Sequence, residues 1–256
     1  MLGAIAGDII GSVHEFGLTK TKDFPLFGPR CRFTDDTVMT AAIAQAILTD
    51  GDYRRAALDF GRRYPGRGYG GSFRQWLAAA DPQPYGSYGN GAAMRASPVG
   101  FAFSSVDEVL REAARSAAFS HDHPEGVKGA QAAALAAFLA RTERDKALVK
   151  AEIASRFGYD LDRTVDAIRP AYTHVESCQE TVPEAVISFL ESTSYEDAVR
   201  NAVSLGGDAD TLACIAGGIA EAFYGPLPPE IVTEVREILT PELRDIVDRF
   251  YRQLPR

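Results

Sequence analysis

The chain has 256 residues, enough for one large hydrophobic core or two small ones, and its 46% apolar content is ordinary for a globular protein. Lys and Arg number 27 against 35 Asp and Glu, so the net charge is −8. That balance argues against broad binding to nucleic acid or to an anionic membrane surface. Cys31, Cys178 and Cys214 are too far apart for a zinc motif and too few for a disulfide framework, and their odd number fits a reducing compartment.

In chain order, the N-terminal run MLGAIAGDIIGSVHEF predicts a buried helix over Leu2–Ile10. It lacks a basic start and Asp8 interrupts it, so it does not read as a signal peptide. No segment approaches the roughly 18 apolar residues of a membrane span. The cytoplasm is the expected location, a monomer the expected state, and neither a membrane nor a specific nucleic acid is an expected partner. An irregular stretch follows over Gly11–Arg32. In it, Glu15 lies between Gly11 and Gly17, either as a solvated surface carboxylate or as a general acid/base on a loop freed by those glycines.

Phe33-Thr34-Asp35-Asp36-Thr37 leads into an Ala-rich helix over Val38–Leu48. Helices are predicted next over Ala56–Arg63 and Phe73–Ala80, with irregular segments at Tyr64–Gly71 and Asp81–Pro98. Such Gly-, Pro- and Tyr-rich loops often carry function. Within the second, Gly89-Asn90-Gly91 opens a short helical run. It is either a plain loop-to-helix junction or a backbone N–H site for a phosphate. Helices follow over Val106–Phe119, Pro124–Leu139 and Lys146–Phe157. Between the first two, Ser120-His121-Asp122-His123 reads as a polar cap or, at His121, as a hydrogen-bonding group for an anion.

The C-terminal half predicts helices over Val182–Glu191, Tyr195–Ser204, Thr211–Tyr224, Pro229–Leu239 and Pro241–Gln253. Gly206-Gly207-Asp208-Ala209-Asp210-Thr211 precedes the third of these, as the earlier acidic cluster precedes its own helix. Strand-like alternation is scarce and no linker divides the chain. The expectation is an all-α fold: a compact, multi-helix orthogonal bundle forming one domain over 1–256. Gly3-Ala4-Ile5-Ala6-Gly7-Asp8 echoes Ile215-Ala216-Gly217-Gly218-Ile219-Ala220, and small residues like these predict two closely packed central helices.

Each acidic cluster alone reads as a helix cap, since Asp and Thr oxygens satisfy first-turn N–H groups. Two of them together offer Asp35, Asp36, Asp208 and Asp210 with flanking hydroxyls and no sulfur or imidazole. That oxygen-only set suits a hard cation such as Mg²⁺ or Mn²⁺.

The ordered motifs FTDDTVMT, GNGAAMRASP, SHDHPEG, TVPEAVISFLES and SLGGDADT, with GAIAGDIIGSVHEF before them, resemble the ADP-ribosylglycohydrolase family over nearly the whole chain. That family includes the dinitrogenase-reductase-activating glycohydrolase and the ADP-ribosylarginine and ADP-ribosylserine hydrolases. The resemblance implies an all-α fold with a dinuclear site for two Mg²⁺ or Mn²⁺ ions. Thr34, Asp35 and Asp36 would supply ligands from one side, and Asp208, Asp210 and Thr211 from the other. Glu15 matches the family's catalytic glutamate on a movable flap. Gly89, Asn90, Gly91 and His121 fall where the family holds the diphosphate and ribose of ADP-ribose. The substrate implied is an ADP-ribosylated protein or small ADP-ribose conjugate, linked through arginine, serine or a related acceptor.

Ser120 stands where relatives often have Thr. Ser177-Cys178-Gln179-Glu180 stands where some relatives place a Gly and an aromatic that stacks on adenine, which leaves Tyr69, Tyr85, Tyr88 and Phe101 as candidate platforms. The competing expectations are a non-catalytic ADP-ribose-binding or crystallin-like protein on the same fold, and a metal-dependent nucleotide phosphohydrolase.

Overall fold

A computed structural model describes residues 1–17 and 19–254, so Leu18 of the irregular Gly11–Arg32 stretch lies outside the described residues. The helices are α1 (Leu2–Gly11), α2 (Asp35–Leu48), α3 (Tyr53–Arg63), α4 (Gly71–Ala78), α5 (Gly91–Met94), α6 (Ser97–Ala102), α7 (Val106–Ala118) and α8 (Pro124–Thr142). The chain continues through α9 (Lys146–Phe157), α10 (Val165–Ile168), α11 (Cys178–Leu190), α12 (Tyr195–Ser204), α13 (Ala209–Tyr224), α14 (Pro229–Ile238) and α15 (Pro241–Gln253). Among the described residues the only β pairing is an isolated antiparallel bridge between Gly89 and Ser177. The fold is all-α, and its buried apolar side chains form one continuous core.

The centre of that core is the α1–α13 pair. Gly3, Gly7 and Gly11 recur every four residues and so share one helix face. A Cβ on Gly3 would lie 2.5 Å from the Gly217 carbonyl oxygen, and one on Gly7 would lie 2.0 Å from that of Ala213. One on Gly11 would lie 2.4 Å from the Asp210 Cα. Only glycine permits this approach. The partners run backwards as α1 runs forwards, so the two helices are antiparallel. The end of α1 and the Glu15 turn therefore meet the start of α13, where Asp208, Asp210 and Thr211 sit.

The start of α2 is tied to the same place by Asp8 of α1. The buried Asp8 carboxylate accepts from the Thr34 N–H at 3.0 Å, the Thr34 hydroxyl at 2.7 Å and the Thr37 N–H at 3.1 Å, and also from the Thr37 hydroxyl. At the periphery the ordinary amphipathic rule holds. In α15 the buried positions are Leu243, Ile246, Val247 and Phe250, one helical stripe, and this helix packs on α2.

Several boundaries differ from those the sequence predicts. α2 begins at Asp35 and α13 at Ala209, so the acidic residues lie in the first turns themselves, where carboxylates complement the helix dipole. α11 begins at Cys178, with Pro183 inside it, instead of at Val182. Pro183 removes the N–H that would bond the Gln179 carbonyl, but Gln179 is exposed at the first turn, where water can replace that bond. The short α5 is the helical run expected after Gly89-Asn90-Gly91, whereas α6 and α10 fall in stretches the sequence leaves irregular or unassigned, because four to six residues are too few to show a period. No helix among the described residues is long and apolar enough to cross a membrane.

Candidate active site

Three segments converge on one cleft: the Glu15 turn after α1, the start of α2 and the start of α13. Carboxylate oxygens of Glu15, Asp208 and Asp210 lie within 4.8 Å of one another. The Thr211 hydroxyl donates to Asp36 Oδ2 at 3.4 Å, which joins the second acidic cluster to the first. Asp35 lines the same cleft, half-buried, and its Oδ1 would lie 2.8 Å from a Cβ on Gly68. Gly68 has φ +108°, so a side chain there would be strained as well as crowded. Five of the six residues expected to supply metal ligands, Asp35, Asp36, Asp208, Asp210 and Thr211, therefore line one cleft with Glu15, and Thr34 sits behind Asp36 with its hydroxyl on Asp8.

The cap reading and the cation reading divide between the two clusters. Thr34 does cap α2, its hydroxyl oxygen accepting from the Asp36 N–H at 3.3 Å. Asp208 precedes α13 but makes no side-chain cap bond; instead its Oδ2 accepts from Asn90 Nδ2 at 2.6 Å. Asp36 is buried with its Oδ1 lacking any hydrogen-bond partner. An orphaned carboxylate oxygen at 3% exposure is costly unless something else compensates it.

Electrostatics point the same way. Burial, then Asp8, pushes the Asp35 carboxyl up to about 8. Asp36 is held well above its ordinary range by burial and then by Asp8 and Asp35; Asp210 by burial and then by Asp208 and Asp36. Burial and then Asp208 raise Glu15. A crowd of carboxylates repels its own ionisation until a cation enters it. Oxygen-only donors, an unpartnered buried oxygen and like-charge crowding all fit a hard divalent cation.

The remaining site residues are placed as follows. Asn90 is buried, and its amide also donates to Thr181 Oγ1 at 3.2 Å, so its side chain holds Asp208. Its backbone N–H donates to the Glu176 carbonyl at 2.7 Å. Gly89 and Gly91 line the cleft against His121, whose Nε2 would lie 3.5 Å and 3.1 Å from Cβ atoms placed on them. α5 is a single turn, too short for the helix-dipole grip on phosphate that the GNG motif suggests. The two histidines of SHDHPEG separate. His121 faces the cleft, buried, while His123 caps α8 by accepting from the Glu125 N–H at 3.1 Å.

Of the four candidate adenine platforms, Tyr69 and Phe101 are core residues. Tyr85 lines the cleft and Tyr88 is exposed nearby. Gly11 is a packing glycine against Asp210, not a hinge for Glu15, because its missing Cβ lets α1 touch α13.

Sequence reasoning missed Asp8, noting it only as a break in an apolar run. Its signal was available: one carboxylate in IAGDII, a helix apolar on every side, has to be buried. Buried carboxylates are held by donors. Here the donors are the two threonines of the first acidic cluster.

The family profile described as ADP-ribosylglycohydrolase matches residues 1–256. The chain belongs to that family, an assignment that makes it a hydrolase of the glycosidase type. It is similar to the ADP-ribosylhydrolase ARH3 of Xenopus tropicalis, at 29% identity over 88% of this chain and 86% of that protein. It is also similar to the ADP-ribosylarginine hydrolase Tri1 of Pseudomonas putida, at 27% identity over 92% and 72% of the two chains. A solved structure described as an ADP-ribosylglycohydrolase-related protein complex superposes with a TM-score of 0.77 at 27% identity, covering 98% of this chain and 95% of that one.

Proposed function

We propose that this protein hydrolyses the glycosidic bond between ADP-ribose and an acceptor side chain or small conjugate, with two Mg²⁺ or Mn²⁺ ions in the cleft. The observation that carries the reading is the meeting of Glu15, Asp208 and Asp210 within 4.8 Å, beside an unpartnered oxygen of Asp36. Thr34, Asp35 and Asp36 would hold the ions from the α2 side, and Asp208, Asp210 and Thr211 from the α13 side. Bound there, such ions would stabilise developing charge and acidify water.

The chain's own residues supply the rest. Asp8 accepts from the hydroxyls of both Thr34 and Thr37, and with the Asp36 N–H taking one lone pair of the Thr34 oxygen, one lone pair remains for an ion. Asn90 fixes the Asp208 carboxylate. Bond cleavage at the distal ribose C1″ passes through an oxocarbenium-like state. Glu15, raised toward neutrality by burial and by Asp208, exchanges the proton with the leaving atom or the attacking water. His121 and the Gly89–Gly91 loop hold the diphosphate and ribose, and Tyr85 or Tyr88 meets the adenine.

The test is a side-by-side assay of ADP-ribosylated arginine and serine peptides, with and without divalent cation, with products identified. Release of intact ADP-ribose and unmodified acceptor is expected. Release of AMP would instead indicate a phosphohydrolase, and no turnover on either peptide with cation present would favour a binding protein.

A further inference from the structure

Arg95, just after α5, is a buried cation at 1% exposure. Its Nε donates to the Ser116 carbonyl at 3.1 Å, and its Nη2 to the Ala117 carbonyl at 3.3 Å. Its guanidinium sits 4.3 Å from the centre of the Phe119 ring. These partners are the negative end of α7 and an aromatic face, and none of them neutralises a full charge. Burial pulls the guanidinium down to about 10, so it stays protonated at neutral pH.

The third partner of Arg95 is Ser120 Oγ, 3.0 Å from Nη2. Ser120 Oγ is in turn 2.8 Å from His121 Nδ1. A guanidinium only donates, so Ser120 accepts from it. Ser120 is fully buried, and of the two groups its hydroxyl meets only His121 Nδ1 can accept, which assigns the hydroxyl hydrogen to that nitrogen. With Nδ1 accepting, the ring proton sits on Nε2, and Nε2 is the nitrogen that faces Gly89 and Gly91 across the cleft wall. A second ring proton would place Nδ1–H against the Ser120 hydroxyl hydrogen and add a charge beside Arg95. Burial and then Arg95 accordingly hold the imidazole well below its ordinary range.

We infer that Arg95 and Ser120 are positioning residues, which lock His121 as a neutral imidazole with Nε2–H presented to an anionic, oxygen-rich ligand group. Arg95 adds a fixed positive field behind that donor. The identity of the ligand, the diphosphate–ribose portion of ADP-ribose, rests on the proposed function; the relay itself does not.

The experiment uses the full chain with ¹⁵N-labelled histidine, and assigns His121 by comparison with His121→Gln. Two-bond nitrogen–proton correlations should give the Nε2–H tautomer, unchanged between pH 6 and 8. Ser120→Ala should mix the tautomers and weaken ADP-ribose binding about three- to tenfold, the size of one lost hydrogen bond. Ser120→Thr, which keeps the hydroxyl, should restore both. An Nδ1–H tautomer or an imidazolium in the unmodified protein at pH 7 overturns the relay. So does Ser120→Ala with tautomer and affinity unchanged. The Nε2–H tautomer in a protein that does not bind ADP-ribose would uphold the relay and remove the ligand reading.

Discussion

Glu15 lies half-buried at the mouth of the cleft, close enough to Asp208 and Asp210 to share an ion with them. Glu15→Gln keeps its shape and removes its titratable proton. A loss of about 10²–10⁴ in kcat is expected, the usual worth of a general acid or base. Turnover near that of the unmodified enzyme would return Glu15 to a surface carboxylate.

Asp8 acts one layer behind. In Asp8→Asn the amide must present N–H to at least one donor now bound by the carboxylate, and turning Thr34 into an acceptor consumes a lone pair. Cation affinity should fall about 10–100-fold, as for other residues that orient ligands. Calorimetric titration with Mn²⁺ measures it, and an unchanged dissociation constant would remove Asp8 from the site.

Proton linkage gives a third test. Asp35 titrates near 3.8 when unfolded and is pushed up to about 8 when folded, so between those values the cation-free folded state holds a proton that the unfolded chain has released. Stability is then present at low pH and lost as pH rises through that window. The melting temperature of EDTA-treated protein should fall from pH 5 to 8, and excess Mg²⁺ should help more at pH 8 than at pH 5. A cation effect independent of pH would contradict the ionisation of this cluster on binding.

At the scale of elements, the α1–α13 contact decides whether a site exists. Gly7→Ala puts a methyl into a gap where a Cβ would lie 2.0 Å from the Ala213 carbonyl. Overpacking of this kind costs about 1–3 kcal/mol. In a chain of this length that is a drop of roughly 2–12 °C in melting temperature, at about 2–4 °C per kcal/mol. Because α1 carries Asp8 and leads to Glu15, while α13 carries Asp210, a forced separation should also weaken cation binding. Gly28→Ala is the control, since a Cβ there meets nothing within 4 Å. Equal melting points for the two variants would show that α1 and α13 have slack.

For the whole molecule, the expected ligand ties the two ends of the chain together through the cation site. ADP-ribose at a hundredfold excess over its dissociation constant should add about 2.7 kcal/mol of stability. That corresponds to roughly 5–10 °C by the same conversion. EDTA-treated protein should show a much smaller shift, measured against EDTA-treated protein alone, and AMP should shift the cation-loaded enzyme less because it lacks the distal ribose. Equal shifts with and without cation would separate ligand binding from the acidic clusters and favour a binding protein.

The helical class was legible in the sequence because period and composition are local: long Ala-rich and amphipathic runs such as Val38–Leu48 and Pro241–Gln253 need no partner to be recognised. The oxygen-donor character of the acidic clusters was legible too, since TDDT and DADT declare it whatever surrounds them, and the order of five motifs carried the family. Tertiary structure alone decided the rest. It made Asp208 a partner of Asn90 instead of a cap, and divided His121 from His123. It gave Gly11 to packing instead of motion, and brought Arg95 and Ser120 behind His121. These assignments depend on which groups meet across intervals of 25 to 200 residues, and on how much water remains between them. Glycine spacing on α1 hints at such a meeting, but only the folded chain fixes the register in which α1 and α13 oppose each other. That register places Glu15 over the start of α13.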